Sequence, residues 1–352
     1  MKKLSSYLSG TIFSSIFLVL LVIIFLNAVS SLLGERSDLE GNYTFLESIK
    51  YVLLSVPGSL FELLPFATLI GCLAGLGTLA NNSELVIIRG TGVNTLRLIW
   101  MVMRPALLVM IAGVAIREYI APKTQSMAQS EKAIALQSTN VVSKQGLWHR
   151  ERGKFMHFNA VQPNGVLYGV TIYEFKENRE LLSSLYAERA IYQGDYWLLE
   201  DVSYSQVLLD RIDQSQLASK RWDTELSPEL LNILVLDPQD LPISGLWSYA
   251  TYLSGQGLDN SQYMLAFWDK VFQPLAIISL VLVAISFIFG PLRQVTMGFR
   301  IFIGVIIGIV FQTTQDVLGP ASIVYGFTPI YASLVPVLIC AGVGIFLLSR
   351  TR

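Results

Sequence analysis

The stretch NNSELVIIRGTGVN, Asn81–Asn94, is a short polar interruption between two long apolar runs, one ending near Leu79 and the next resuming near Thr95 and Leu98. It predicts a small helix. Asn82 or Ser83 can cap the N-terminus, Glu84 sits in the first turn where the helix dipole favours an anion, and Gly90 and Gly92 end it. At ~1.5 Å rise per residue such an element is only about 10 Å long, too short to hold a core of its own. Two readings fit this shape: a turn lying on a surface, or a coupling helix over residues 81–92 that hands a soluble partner's motion to the membrane.

Composition sets the class. Of 352 residues, 53% are hydrophobic and 14% charged, whereas soluble domains average about 45–50% and about 25%. This is the balance of a membrane protein. A net charge of −1 with no dense basic face gives no reason to expect nucleic-acid binding. Cys72 and Cys340 both fall inside apolar runs and suggest neither a disulfide framework nor a metal cluster. Six runs, at Thr11–Leu33, Tyr51–Leu79, Leu96–Ile120, Phe267–Phe289, Ile301–Leu318 and Ile330–Leu348, are read as transmembrane helices crossing ~30 Å of hydrocarbon. The first lacks a small-residue cleavage site and is read as a span rather than a signal peptide. Gly71 and Gly75 in the second form a G-x-x-x-G face suited to close helix approach.

Between the third and fourth spans the chain changes character. No apolar run there is long enough to cross a bilayer, and FMHFNAV, VLYGVTIYEF, LLSSLYAERAIY and DYWLLEDVSYSQV have β character, separated by turn signals such as Gln162-Pro163-Asn164-Gly165. Pro122–Leu136 is helical in composition, and Ile243–Leu253 reads as an amphipathic helix leading back to the bilayer. The expected fold is an α-helical polytopic membrane protein of six transmembrane helices with an inserted all-β, jelly-roll-like extracytoplasmic domain. The expected divisions are 1–121, 122–263 and 264–352. Lys2, Lys3, Arg89, Arg97, Arg293, Arg300, Arg350 and Arg352 gather at one face, which the positive-inside rule makes cytoplasmic; both termini and the stretch 81–92 belong to it.

Enzyme chemistry finds no footing. The chain has no H-E-x-x-H, no G-x-S-x-G and no catalytic acid pair in the spans, and His149 and His157 come without a ligand cluster. No cofactor or metal site is expected. There is no G-x-x-x-x-G-K-[ST] phosphate cradle either, so an ATPase driving this chain must be a separate protein. Glu62, Arg104, Arg117, Glu118, Asp269, Lys270 and Asp316 lie in or at the edge of spans, mostly where snorkelling explains them. They form no regular relay of buried acids, and no inverted repeat relates the two halves.

The span arrangement, with SELVIIRGTG (Ser83–Gly92) after the second span and FGPLRQVTMGFR (Phe289–Arg300) after the fourth, resembles the LptF/LptG permease family of bacterial lipopolysaccharide export. The likeness runs the whole chain, and LLSVP, ISGLWSY, SFIFGPLR and the turn from Gly319-Pro320 to Tyr325-Gly326 favour the LptG branch. The resemblance implies a non-enzymatic permease subunit of the inner membrane. Its expected partners are the sister permease LptF, a dimer of the ATPase LptB, LptC and a periplasmic LptA bridge. It further implies that Glu84, Leu85, Ile88 and Arg89 enter a groove of the ATPase, and that the first and fifth spans line a lateral gate. Basic residues at the outer end of span one and beyond span three meet the lipid phosphates in this family; here Arg36, Arg117, Lys123 and Lys132 are the matching cations. Two other classes stay open, an ion-coupled lipid carrier and a membrane scaffold for a periplasmic partner.

Overall fold

Long runs of Leu, Ile, Val and Phe with few charges favour the α-helix, which satisfies its own backbone groups in lipid. The computed structural model describes residues 2–38, 43–90, 95–137, 147–151, 154–162, 165–176, 180–207, 211–224, 226–228, 231, 237–255, 259–290 and 295–350. Among the described residues six helices are long and apolar enough to cross a membrane: α1 (Lys2–Gly34), α2 (Phe45–Asn81), α4 (Thr95–Tyr119), α7 (Ser261–Phe289), α8 (Met297–Tyr325) and α9 (Pro329–Arg350). Shorter helices are α3 (Glu84–Gly90), α5 (Ala121–Gln137) and α6 (Ile243–Gly255). The chain is thus a helical membrane protein with an inserted β domain. It divides into two compact units, Met1–Val29 with Val56–Ile120 and Pro242–Arg352, and Ser30–Ser55 with Ala121–Leu241.

In the first unit, close approach replaces hydrophobic driving force, which lipid does not supply. A Cβ on Gly71 would stand 2.5 Å from the Ile16 Cα, and one on Gly75 3.2 Å from the Ile12 Cα, so the expected glycine face seats the backbone of α1. On α8, Gly304 and Gly308 likewise leave room for Leu73 and Phe66 of α2. Prolines inside α2 (Pro57, Pro65), α4 (Pro105), α7 (Pro274), α8 (Pro320) and α9 (Pro336) each leave the carbonyl four residues earlier without its helical donor. Two of those carbonyls are met from other helices: Gln273 Nε2 donates to Phe61 O at 2.6 Å, and Ser9 Oγ donates to Met101 O at 3.0 Å. Gln273→Leu is expected to lower stability by about 1–2 kcal/mol in a detergent unfolding assay. With Pro65→Ala the loss shrinks, because residue 65 then supplies the missing N–H; an equal loss in both backgrounds would refute the pairing.

Two sequence expectations change here. Gly319–Pro329 reads as a loop, yet α8 continues through Pro320 to Tyr325 and ends at Gly326 in the left-handed region, φ 71°. Proline removes one helical bond but does not stop a long apolar helix. Arg300, counted with the cations at or near one face, is 2% exposed and lies inside the bundle. The amphipathic α6 keeps its expected place, burying Leu246, Ala250 and Leu253. Glu118 Oε2 accepts from its Ile243 N–H at 2.9 Å, an anion at a helix N-terminus.

The second unit carries six antiparallel strands in the order β1-β2-β3-β4-β5-β6: Leu147–Glu151, Lys154–Gln162, Val166–Phe175, Leu181–Tyr192, Trp197–Val207 and Ile212–Trp222. Along β4 and β5 buried positions alternate until one step, where they jump by three, Ala187 to Ala190 and Leu199 to Val202, and on β3 the alternation changes phase at the adjacent buried pair Gly169 and Val170. The register sets these steps side by side, with Val170 opposite Phe158 and Ala187, and Leu199 opposite Ala190. Two residues in the resulting row, Gly169 and Asp201, have positive φ of 60° and 52°. A strictly alternating strand buries one face only. Two consecutive outward residues on β4 and on β5, and the change of phase at Gly169-Val170 on β3, let both arms of the sheet bury the same side, so the sheet turns a corner along this row. Pairing is therefore up-and-down between sequence neighbours, and the bend, rather than crossed connections, closes the sheet over Trp197, Phe158 and Leu167. Trp197 Nε1 donates to Leu226 O at 2.8 Å inside that core.

Candidate functional site

The predicted small helix is present as α3, Glu84–Gly90. It follows α2 through a two-residue elbow in which Asn82 N–H bonds Thr78 O at 3.1 Å and Ser83 N–H bonds Ala80 O at 3.0 Å. Ser83 has φ 59° and its carbonyl accepts from Ile87 N–H at 3.2 Å, so the backbone leaves one helix and enters the next without a loose residue. Leu85 and Ile88 are 4% and 5% exposed and belong to the bundle core. They are the footing of α3 on its own chain rather than a face offered to a groove elsewhere. Ile87, which the sequence reading passed over, is 64% exposed. Glu84 is half-buried, and its Oε1 accepts from Tyr7 Oη of α1 and from Asn82 Nδ2, each at 3.3 Å. The Arg89 side chain lies outside the described residues. Below the elbow, Arg300 Nη1 of α8 donates to Gly77 O at 2.9 Å and to Asn81 Oδ1 at 3.0 Å in the last turn of α2.

A second cluster lies in the other unit. Lys132 Nζ of α5 stands 3.0 and 2.8 Å from the two carboxylate oxygens of Glu35, on the 3-10 turn Glu35–Asp38 that follows α1. Both side chains are largely buried, at 12% and 13% exposure. Tyr43 Oη donates to Glu35 Oε2 at 2.8 Å, and the ammonium lies 5.6 Å from the Tyr43 ring centre and 5.0 Å from that of Tyr51, within cation–π range. Burial, then the neighbouring Glu35, pushes the Tyr43 phenol well above its ordinary range, so it stays a proton donor. By contrast the adjacent Lys50–Glu131 pair, 2.8 Å apart, is 53% and 40% exposed and contributes little.

The remaining candidate cations of the same unit, Lys123 and Arg36, do not join this cluster. Lys123 lies nine residues earlier on α5, about two and a half turns, which puts it on the opposite side of that helix, where it is exposed. Arg36 is exposed beside Glu35. Arg117 belongs to the first unit and is 3% exposed, 3.6 Å from Glu62 and 5.9 Å from the Phe61 ring; it packs between helices instead of facing a ligand. Among the membrane acids, Asp269 accepts from Ser333 Oγ, and Asp316 accepts from Gln312 Nε2 one turn away. His157 pairs across with Trp148 while His149 pairs with Met156, so the two histidines project from opposite faces of the sheet and cannot share a metal.

Comparison with known proteins supplies the family. Residues 6–350 match the family described as lipopolysaccharide export system permease LptF/LptG. The chain belongs to the LptF/LptG family. It is 37% identical to the lipopolysaccharide export system permease protein LptG of Escherichia coli (strain K12), over 95% of this chain and 94% of that one. It is 34% identical to the LptG of Haemophilus influenzae over 99% of both. As a family member the permease is a multi-pass transport subunit.

Two side chains of these clusters escaped the sequence reading, Glu35 and Tyr43, which meet Lys132, and so did the burial of Arg300. Glu35 lies 97 residues from Lys132. A charge next to Arg36 reads as that residue's neighbour, and no local pattern marks it as the partner of a distant lysine.

Proposed function

We propose that this chain is one permease half of an ATP-driven exporter that takes lipopolysaccharide from the inner membrane and passes it through its β domain toward a bridge to the outer membrane. The reading rests chiefly on α3. A seven-residue helix, anchored from beneath by Leu85 and Ile88 and presenting Ile87 and Glu84, suits a lever for a soluble partner. The chain has no phosphate-binding loop of its own, so the partner is an ATPase, with a sister permease completing the cavity. Charge bias puts α3 and both termini in the cytoplasm and the β domain in the periplasm.

On the lipid side Lys132 is the favoured phosphate ligand, with Arg36 as an exposed first contact. Glu35 holds the ammonium in the meantime, so a phosphate has to exchange with a carboxylate, one charge-assisted partner for another. Lys123 is a secondary contact, and the buried Arg117 drops out of the set. β1 and β6 are the edge strands of the sheet among the described residues and suit strand addition by a periplasmic partner.

The test is purification of the tagged chain from its native membrane. An ATPase subunit and a second permease are expected to accompany it, with lipopolysaccharide in the same fraction. A chain that arrives alone, and exports lipid on a proton gradient without ATP, would overturn the reading.

A further inference from the structure

Burying a guanidinium is costly unless its donors are met, and Arg300 is 2% exposed. What it meets is specific: Gly77 O and Asn81 Oδ1, both in the closing turn of α2, where the helix dipole also favours a cation. Gly77 leaves the space it needs, since a Cβ there would stand 3.3 Å from Nη1 and 3.1 Å from the Met297 Sδ. Arg300 itself sits in the first turn of α8, its backbone N–H bonded to Thr296 O at 3.2 Å.

The position of this contact gives it a consequence. Asn81 is the last residue of α2, and the hydrogen-bonded elbow Asn82-Ser83 joins it to Glu84 of α3. A displacement of α3 therefore reaches the last turn of α2 within three residues, and Arg300 fastens that turn to α8. The two helices differ in how far the rest of the chain encloses them: 78% of the most apolar stretch of α2 is buried, against 17% for α8.

We propose that the Arg300 guanidinium is the strut through which a push on α3 is delivered to the start of α8. The proposal rests on the reading of α3 as the ATPase-facing lever. It makes Arg300 a positioning residue, acting through Gly77 and Asn81 and touching neither nucleotide nor lipid.

The test uses the whole exporter in nanodiscs with lipopolysaccharide and ATP. Arg300→Gln is expected to leave complex assembly and ATP hydrolysis near wild type while lipid moved per ATP falls at least about fivefold. Arg300→Lys, which keeps the charge but loses the fork, is expected to recover part of it. Asn81→Ala removes one acceptor from an exposed side chain and is expected to give a smaller loss in the same ratio. It decides the matter alone if Arg300→Gln does not fold. Spin labels at Ile87 and Phe302, both exposed, are expected to keep a constant separation through the nucleotide cycle in wild type and a variable one in Arg300→Gln. An unchanged ratio in Arg300→Gln, or in Asn81→Ala when that variant decides alone, would overturn the strut. If Glu84→Lys uncouples while these variants do not, the lever reading stands and the strut alone fails. If Glu84→Lys changes nothing, the lever reading fails first.

Discussion

Lys132→Glu is expected to lower the stability of the permease by about 3–5 kcal/mol, because it leaves the Glu35 carboxylate buried without its cation and sets a second carboxylate against it. Loss of lipopolysaccharide binding in that variant therefore does not by itself identify a phosphate ligand. The discriminating variant is Lys132→Met with Glu35→Gln. It removes both charges, leaves the residue-35 side-chain carbonyl to accept from Tyr43 Oη, and keeps the box filled. Replacing a buried pair by neutral groups of similar size is often neutral or stabilising, so the unfolding midpoint is expected to return to near wild type. Lipid crosslinking at the site is expected to stay lost. Wild-type crosslinking in the double variant would remove Lys132 from the lipid-binding set and leave it a structural cation.

Glu84→Lys is the second large effect, and it acts on coupling instead of folding. Glu84 is half-buried at the first turn of α3, so reversal sets a cation against the positive end of that helix. The fold tolerates this, because the core contacts of α3 come from Leu85 and Ile88. At the partner interface, losing a paired charge costs about 2–5 kcal/mol, or roughly 30-fold and upward in affinity. Co-purification of the ATPase is expected to weaken by that factor, or hydrolysis to continue without export. Tyr7→Phe removes the 3.3 Å contact within the chain while leaving the charge, and is expected to keep the complex. If Tyr7→Phe reproduces the loss, Glu84 acts by bracing α1 and the interface assignment fails.

How legible these features are in the sequence follows from how local their causes are. The spans, the strand cores and α3 are each fixed by residues within one or two turns, and they stand where hydrophobic period and turn residues place them. β6, IDQSQLASKRW, went unread because an edge strand that buries little beyond Trp222 has no alternation to show. The corner in the sheet was hidden for another reason. A break of alternation in one strand is noise, and it becomes a structural line only when the register lays such breaks side by side. Lys132 was recognisable as a cation near the expected lipid phosphates, but its counter-ion was not, since pairing at long range leaves no trace in neighbouring residues. Arg300 was placed at one membrane face, and its burial went unread because a basic residue at the start of a span ordinarily snorkels.

The proline-freed carbonyls put the order of synthesis into the fold. Ser9 is made 92 residues before Met101, so the donor is already in the membrane when its acceptor arrives. Phe61 has the opposite fate: Gln273 follows it by 212 residues, roughly 10–40 s of translation at bacterial-to-eukaryotic rates. Through that interval α2 carries an unmet carbonyl one turn before Pro65, and the first three spans form an unfinished unit until α7 is threaded beside them. Nascent chains arrested before residue 273 are accordingly the ones most exposed to membrane quality control, and Pro65→Ala is the change that relieves them.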